Sequence, residues 1–243
     1  MTVYQRVALS DHITVERAPV VRVDGFAADT LVRRALESVA GANGSTFAAQ
    51  IRKRVPVAAG LGGGSSDAAT ALRLANALRE TPLAEDELHA RACELGADVP
   101  YFLADGPQLG SGDGTQLELL DLPQDYWIVL VVPRNARKPS TAALYASFDA
   151  RGGADGYDAR RTKLLEAVRA VRRPRDLGGL PLNDLASSPV ADELMRLGAF
   201  RADVTGAGPA VYGLFLHGEH ARTAQQQMSR SGRSWLTAPA WYR

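Results

Sequence analysis

Several features that would restrict where this chain works are scarce or missing in its sequence. Among 243 residues there is one cysteine, so no intrachain disulfide can form and nothing indicates an oxidising compartment. No apolar run approaches the roughly 20 residues that a membrane-spanning helix needs. The segment from Met1 to Glu16 also lacks the basic-then-apolar order of a secretory signal. With a net charge of only +1, no overall field attracts nucleic acid or an anionic membrane. These absences predict a cytoplasmic protein that binds neither nucleic acid nor membrane.

The one dense basic cluster does not change that prediction. Arg169, Arg172, Arg173 and Arg175 lie around Pro174 at the end of a predicted helix, where cations interact favourably with the helix dipole. The simpler interpretation of this cluster is a solvated surface.

What the sequence does contain is a mixture of strand-like and helix-like segments. β-rich runs include "TVYQRVAL", "HITVE", "TFAAQIRKRVPV", "AVYGLFL" and "RSWLTA", and "YFLADGPQLGSGDGTQLELL" is typical of strands joined by glycine turns. The run "YWIVLVVP" is apolar enough for a strand buried on both faces. Helical spacing appears in "ADTLVRRALESVAG", "AEDELHARACEL" and near residues 141, 162, 192 and 219. We predict an α+β protein of two lobes, residues 1–132 and 133–243, joined near Pro133.

Four glycines, Gly60 and Gly62 to Gly64, stand between a predicted strand and a predicted helix, in "VPVAAGLGGGSSDAATALRLANAL". Backbone N–H groups and the positive end of the helix dipole converge at such a junction and attract anions. A tight turn with a serine or aspartate N-cap is the alternative, but one glycine would suffice for it. We therefore predict a phosphate-binding loop, followed by the hydroxyls of Ser65 and Ser66.

Two common phosphate loops do not fit this segment. There is no lysine between the glycines and the serines, as the P-loop requires, and the third glycine of the dinucleotide fingerprint falls on Ser65. The run "PVAAGLGGGSSD" at 56–67 instead resembles the P-x-x-x-G-L-G-[GS]-[GS]-S-S loop of the GHMP kinases, the superfamily of galactokinase, homoserine kinase and mevalonate kinase.

This resemblance implies a fold, a cofactor and a set of binding residues. The expected fold is the two-lobed GHMP kinase fold, with an N-terminal ATP-binding lobe similar to ribosomal protein S5 domain 2 and a ferredoxin-like α/β C-terminal lobe. The expected cofactors are ATP and Mg²⁺, with transfer of the γ-phosphoryl group to an alcohol. The implied ATP- and phosphate-binding residues are Pro56, Ala59, Gly60, Leu61, Gly62, Gly63, Gly64, Ser65 and Ser66.

Further segments are similar to one branch of these kinases. They are "DTLVRRAL", "LGADVPYFL" at 95–103, "STAALY" at 140–145, "LNDL" at 182–185 and "VTGAGPAVYGLF" at 204–215. That branch phosphorylates the 2-hydroxyl of a cytidine-diphosphate-linked methylerythritol in non-mevalonate isoprenoid precursor synthesis. The resemblance therefore implies a small-molecule substrate of this kind.

The resemblance also assigns roles to individual residues. Asp98 matches the aspartate beside the acceptor hydroxyl, where a carboxylate can take up a proton during phosphoryl transfer. On its own it would be read as a turn residue in "GADVP". Tyr145 matches the aromatic residue that stacks on cytosine, although a core aromatic has the same helical spacing. Thr141 matches a residue close to the substrate.

The remaining assignments concern the C-terminal glycines and three polar residues. Gly206 and Gly208 would bring main-chain N–H groups towards the acceptor and the transferred phosphate. Asn183 and Asp184 are either adjacent to the ligand or cap the next element. Asp67 either assists Mg²⁺ or is a dipole partner at the helix start. No metal ligand is assigned.

The beginning of the chain departs from the pattern of that branch. Its members begin with A-K-[LIV]-N and D-G-Y-H, whose lysine helps activate the acceptor and whose tyrosine and histidine clamp the cytosine. Here Met1 aligns just after D-G-Y-H, and His12 is no substitute for that histidine. The favoured explanation is a start codon assigned too late. The alternative is a genuinely shortened chain, and we expect the chain as written to bind nucleotide but to phosphorylate slowly or not at all.

Two alternative functions remain at this point. One is another GHMP small-molecule kinase, and the other is a catalytically impaired homologue that only binds nucleotide. In either case the expected assembly is a monomer or a weak homodimer.

Overall fold

The computed structural model describes residues 1–40, 46–134, 136 and 141–240, and over these ranges the chain alternates strands and helices. The strands are β1 (Thr2–Tyr4), β2 (His12–Ala18), β3 (Arg22–Asp24), β4 (Thr46–Arg52), β5 (Gln108–Ser111), β6 (Gln116–Leu119), β7 (Trp127–Pro133), β8 (Arg201–Val204), β9 (Val211–Phe215) and β10 (Gly232–Thr237). The helices are α1 (Leu31–Val39), α2 (Gly63–Ala77), α3 (Glu85–Leu95), α4 (Thr141–Ala150), α5 (Tyr157–Ala170), α6 (Pro189–Arg196) and α7 (Gly218–Met228). Short 3₁₀ segments cover Pro100–Phe102 and Pro174–Gly179. The mixed composition confirms the α+β prediction.

The strands form three sheets. β2 and β3 flank β4, antiparallel and parallel respectively, and β5 lies between β1 and β6 in a small antiparallel sheet. The third sheet is antiparallel with the order β10-β7-β9-β8. Because β4 leads directly to the glycine-rich segment, the first sheet fixes where that segment starts.

The N-terminal core lies between the β2-β4-β3 sheet and the first three helices. α2 packs against α1, α3 and β2, and its alanines at 68, 69, 71 and 75 are fully buried. Small side chains let neighbouring elements approach this helix closely. Phe47, Ile51 and Leu72 fill the remaining space with fully or almost fully buried side chains. The helix that begins at the glycines is therefore held rigidly on most sides.

The C-terminal core lies on both faces of β7, as "YWIVLVVP" predicts. Val129 and Val131 pack with α6 and α7 on one face. Ile128 and Leu130 belong to a separate buried cluster, and Leu61 of the glycine-rich segment packs against that cluster. The glycine-rich segment thus contacts the hydrophobic interior of the C-terminal part.

Two strands were missing from the sequence prediction. β3 and β8 read "RVD" and "RADV", and although their polar and apolar residues alternate, both strands are short and at least half of their residues are charged. All four residues of β8 are nonetheless buried, because Arg201 bonds to the Pro181 carbonyl, the Tyr212 hydroxyl and the Asp203 carboxylate. Tertiary partners that lie far away in the sequence make this polar strand possible.

Three further expectations can be compared with the fold. The predicted boundary between residues 132 and 133 falls within the last two residues of β7, which pairs with β9 and β10, and the boundary stays a prediction. All four arginines of the basic cluster are exposed. In the described ranges, none of the helices has the length and apolar character required to cross a bilayer.

Candidate active site

The glycine-rich segment forms a loop that delivers the chain to the N-terminus of α2. Gly62 is the N-cap of the helix, with φ of +67°, and Gly63 is its first residue. The Ser66 amide donates to the Gly62 carbonyl at 2.9 Å and closes the first helical turn. Gly64, Ser65 and Ser66 all lie in that turn. The free N–H groups of a first turn and the helix dipole make this point suitable for anionic oxygens.

The loop packs directly against the second glycine segment of the chain. The Ala210 amide donates to the Ala59 carbonyl at 3.0 Å, and the Thr205 hydroxyl donates to the Gly60 carbonyl at 3.1 Å. A Cβ atom at Gly60 would lie 2.5 Å from the Gly208 carbonyl oxygen, and one at Gly206 would lie 3.7 Å from the Gly60 carbonyl oxygen. The structure thus brings Gly60, Gly206 and Gly208 together, although they are about 150 residues apart in the sequence.

The other residues predicted in the loop support its shape. Pro56 and Ala59 are buried, and Leu61 packs on the cluster beneath β7. A Cβ atom on Gly63 would be only 3.0 Å from the Val55 side chain. These positions therefore restrict the path of the backbone.

Asp98 lies in the turn after α3 with an exposed side chain, and Tyr4 binds it. The Tyr4 hydroxyl donates to Oδ1 of Asp98 at 3.0 Å. The Tyr4 ring stacks on Tyr101, with centroids 4.7 Å apart. Burial, together with the Asp98 carboxylate, raises the pKa of Tyr4 well above its usual value. Tyr4 therefore stays protonated and donates to the carboxylate.

A 3₁₀ segment, Pro100–Phe102, connects Asp98 to the glycine-rich loop. Phe102 follows Asp98 by four residues, and its ring lies 3.1 Å from the position of a Cβ atom on Gly62. The segment that carries the carboxylate is thus packed against the N-cap of α2.

Tyr145 and Thr141, the two residues of α4 that are predicted to contact the substrate, are described in different detail. Tyr145 is half exposed, and its phenol is close enough to contribute to the raised pKa of Tyr4. Tyr145 is therefore not the core aromatic of the alternative reading. Thr141 begins α4, but its side chain lies outside the described part of the chain, as do Ser140 of "STAALY" and residues 137–139 before it.

Asn183 caps the next turn, one of the two roles that the sequence left open, and it also holds the second glycine segment. Its side-chain amide donates to the carbonyls of Val204 at 3.0 Å and Gly206 at 2.8 Å, so it holds the second glycine segment. Its Oδ1 also accepts from the Leu185 amide and caps the following turn. Asp184 instead forms a partly exposed ion pair with Arg160 at 3.2 Å.

Asp67 belongs to a buried cluster of three charged groups. The Lys53 ammonium lies 2.5 Å from Asp11 Oδ2 and 2.7 Å from Asp67 Oδ2. Burial raises the pKa of Asp67 to about 7, against the effect of Lys53. Burial also opposes ionisation of Asp11, but bonds from Lys53, Arg54 and Val55 outweigh it and lower the pKa of Asp11. Asp67 is thus engaged by Lys53. Within the described ranges, no group of three or more histidine, cysteine or acidic residues is arranged to hold a metal ion.

The raised pKa of Asp67 predicts a pH-dependent contribution to stability. Its folded-state pKa of about 7 lies above its ordinary value of 3.8, so ionisation disfavours the folded state. The contribution is fully favourable below about pH 4 and is lost as the pH rises through 7. Asp67→Asn keeps an oxygen acceptor for Lys53 but does not ionise. We therefore expect the unfolding temperature of the variant to rise relative to that of the unmodified protein between pH 4 and pH 8, as measured by circular dichroism.

Asp125→Asn serves as the control for this comparison, because Asp125 is exposed in the segment before β7. Its unfolding temperature should follow that of the unmodified protein at every pH. Parallel curves for Asp67→Asn and the unmodified protein would contradict the assignment.

Sequence reasoning did not find Tyr4, Phe102, Asp11 or Lys53 as parts of this region. Tyr4 is 94 residues from Asp98, and Asp11 is 42 residues from Lys53. A local motif carries no signal for such contacts.

Comparisons with known proteins identify the family of this chain. Residues 30–106 match the family model described as GHMP kinases N terminal domain, and residues 186–234 match GHMP kinases C terminal. The 4-diphosphocytidyl-2-C-methyl-D-erythritol kinase of Pelobacter propionicus is 36% identical over 217 residues, which is 86% of this chain and 73% of that protein. The kinase of the same name from Moorella thermoacetica is 33% identical over 95% of this chain and 86% of that protein.

Solved structures agree at the level of the fold. A crystal structure of 4-(cytidine 5'-diphospho)-2C-methyl-D-erythritol kinase superposes with a TM-score of 0.77 at 28% identity, covering 98% of this chain and 90% of that one. A mevalonate kinase superposes with a TM-score of 0.76 at 13% identity, covering 98% and 91% of the two chains. The second likeness concerns the fold alone, and both agree with the predicted two-lobed fold.

Proposed function

This chain belongs to the 4-diphosphocytidyl-2-C-methyl-D-erythritol kinase family of the GHMP kinases, and from that membership we propose that it transfers the γ-phosphoryl group of ATP to the 2-hydroxyl of 4-diphosphocytidyl-2-C-methyl-D-erythritol. It is a small-molecule kinase, and its reaction belongs to non-mevalonate isoprenoid precursor synthesis. The observation that carries the proposal is the packing of the phosphate loop at the start of α2 against the Gly206–Gly208 segment.

The phosphate loop binds the phosphates of ATP in this proposal. Its three residues with positive φ, Ala58, Gly60 and Gly62, turn the backbone so that it leads into the first turn of α2. The N–H groups of that turn and the hydroxyls of Ser65 and Ser66 then bind phosphate oxygens. Gly206 and Gly208 lie against the same loop, and Gly206 supplies a main-chain N–H group on the acceptor side. The Gly208 N–H, which the resemblance also directs to the ligand, instead donates to the Thr205 carbonyl at 2.9 Å.

Asp98 accepts the proton that leaves the 2-hydroxyl as the new O–P bond forms and the bond between the γ-phosphorus and the β–γ bridging oxygen breaks, with ADP as the leaving group. Phosphoryl transfer depends on positioning and charge stabilisation, and a carboxylate beside the nucleophile serves both. Tyr4 donates a hydrogen bond to Oδ1 of Asp98 and so orients the carboxylate, leaving Oδ2 for the substrate. Asp98 is thus the proposed catalytic residue, and Tyr4 is a positioning residue.

We also propose Mg²⁺ as the second cofactor. Mg²⁺ prefers oxygen ligands and is commonly held by substrate phosphates and waters with one or two protein groups, so it does not need a carboxylate cage. The hydroxyls of Ser65 and Ser66, in the first turn of α2, fit that donor set, whereas the Asp67 carboxylate is bound by Lys53. The ion supplies neutralisation of phosphate charge when bound.

Tyr145 provides a surface for the cytosine of the substrate. Its ring is half exposed on α4, near Tyr4 and therefore on the side of Asp98. An exposed aromatic face can stack on a base, a contact worth about 1–3 kcal/mol. Thr141 lies one turn earlier on the same helix, which supports a shared role in substrate binding.

Removal of the Tyr4 hydroxyl tests the orientation of Asp98. Tyr4→Phe keeps the ring stacked on Tyr101 but deletes the bond to the carboxylate. Hydrogen bonds to charged groups contribute about 1.5–3 kcal/mol, and Asp98 is exposed, so we expect kcat to fall about tenfold. The KM for ATP should stay unchanged. Steady-state kinetics with both substrates measure this.

Tyr157→Phe is the matched control, since Tyr157 is half exposed at the start of α5. It should retain full kcat. A Tyr4→Phe protein that turns over as fast as this control would remove Tyr4 from the mechanism.

A substrate panel tests the proposed function itself. The protein is incubated with ATP and either the diphosphocytidyl substrate, mevalonate or homoserine, and phosphorus NMR identifies any phosphorylated product. We expect a new phosphomonoester only with the first acceptor, even if it accumulates slowly. Product from mevalonate or homoserine alone would indicate another GHMP activity. ATP binding without product from the diphosphocytidyl substrate would indicate a nucleotide-binding homologue.

The proposal also includes the cellular location and the assembly of the protein. We propose a cytoplasmic location, which fits a chain with one cysteine. A monomer or weak homodimer remains the proposed assembly, and analytical ultracentrifugation measures it.

A further inference from the structure

Lys53 occupies a position that the proposed chemistry does not explain. It follows the last residue of β4 and precedes Pro56, where the phosphate loop begins. Its side chain is only 16% exposed, and its two carboxylate partners, Asp11 and Asp67, are 3% and 4% exposed. Burying three charges is costly unless their geometry is good, so such a cluster calls for a reason beyond stability.

The cluster connects the two ends of the phosphate loop. Asp11 Oδ1 accepts from the amides of Arg54 at 2.5 Å and Val55 at 2.9 Å, so it fixes the backbone immediately before the loop. Asp67 lies near the start of α2, immediately after the loop. Lys53 binds both carboxylates and therefore links the two ends through one ammonium group.

The loop itself needs such a restraint. Ala58 adopts a left-handed conformation with φ of +55°, which is unfavourable for a residue with a Cβ atom. Gly60 and Gly62 also have positive φ, at +78° and +67°. A backbone of this kind keeps its shape only when the surrounding structure holds it.

We propose that Lys53 is a positioning residue that holds both ends of the ATP phosphate loop in register through Asp11 and Asp67. The inference rests on the proposed role of this loop in ATP binding. Lys53 acts on the backbone amides of the loop and not on the acceptor alcohol. Its loss should therefore weaken ATP binding and leave binding of the alcohol substrate unchanged.

The first test replaces the ammonium group with an apolar side chain of similar length. For Lys53→Met we expect ATP to bind at least about tenfold more weakly, since small misplacements of binding groups have effects of this size or larger. Isothermal titration calorimetry with a non-hydrolysable ATP analogue measures this without turnover. Binding of the diphosphocytidyl substrate should stay at the strength seen in the unmodified protein. Lys163→Met is the matched control, because Lys163 is exposed on α5.

A double variant separates positioning from stability. Lys53→Met leaves the Asp11 carboxylate buried without its cation, which destabilises the fold, whereas Asp67 can take up a proton. Combining Lys53→Met with Asp11→Asn removes that uncompensated charge and keeps an oxygen that accepts from the Arg54 and Val55 amides, so the unfolding temperature should recover towards that of the unmodified protein. Affinity for the ATP analogue should stay at least about tenfold weaker, because nothing then joins the two loop ends.

The possible results are distinct. A stable double variant that binds the ATP analogue as tightly as Lys163→Met would overturn the role of Lys53. Equal weakening of ATP and alcohol binding would also overturn it, since that would indicate general damage to the site. If the unmodified protein and Lys163→Met both failed to bind the analogue, the ATP-binding function itself would be wrong.

Discussion

Replacement of Asp98 by asparagine is expected to lower kcat about a thousandfold while ATP binds as tightly as before. Asparagine has the same shape and keeps an oxygen that can accept the Tyr4 hydrogen bond, so the local geometry is retained. It cannot take up the proton of the acceptor hydroxyl, and general base catalysis contributes about 10²–10⁴ in rate. Steady-state kinetics give kcat, and calorimetry with an ATP analogue gives the affinity.

Asp125→Asn provides the corresponding control at an exposed carboxylate outside the site. Its kcat should equal that of the unmodified protein. An Asp98→Asn protein with the same kcat would show that proton uptake by this carboxylate does not limit the reaction. Weaker ATP binding with unchanged kcat would instead assign Asp98 to the nucleotide.

The path of the glycine-rich loop was predictable because its signal is local. Several glycines between a predicted strand and a predicted helix indicate a turn that leads into the helix, and the loop indeed leads into α2 at Gly63. β7 was predictable for a similar reason. A continuous apolar run suits a strand that is buried on both faces, and Val129 and Ile128 lie in different clusters on either side of it.

β3 and β8 were not predictable from the same rules. Periodicity identifies strands through alternating apolar residues, and β8 places Arg201 and Asp203 in the interior. The Arg201 guanidinium is satisfied by carbonyls in the 3₁₀ region and by Tyr212, none of which a local window contains. Burial of a polar strand is decided by such tertiary partners.

The same limitation applies to the candidate site. The glycines and Asp98 could be found because they belong to motifs, and their roles remain predictions. Tyr4 and Lys53 could not, because each becomes meaningful only beside a partner from another element. The motifs therefore identify groups that would contact ligands, whereas the groups that hold them in place require the structure.

Replacement of Gly60 by alanine should disrupt the contact between the two glycine segments. The new Cβ atom would lie 2.5 Å from the Gly208 carbonyl oxygen and 3.0 Å from that of Thr205. Both are backbone atoms, so neither can rotate away as a side chain would. Alanine would also have to adopt φ of +78°, which costs about 1–2 kcal/mol. We expect ATP affinity to fall more than about a hundredfold, since the phosphate loop must move.

Two other glycines separate the two causes of the expected loss of ATP affinity, which are backbone strain and the steric clash. Gly198 has φ of +94° with nothing within 4 Å of its Cβ position, so Gly198→Ala isolates the conformational strain. Gly179 has neither a positive φ nor a close neighbour, so Gly179→Ala should resemble the unmodified protein. Calorimetry should give Gly60→Ala a far lower ATP affinity than either Gly198→Ala or Gly179→Ala. Thermal unfolding should show a lower unfolding temperature for Gly198→Ala, whose ATP affinity should stay unchanged. If Gly60→Ala bound the ATP analogue as tightly as Gly179→Ala, close packing of the two glycine segments would not be needed for nucleotide binding.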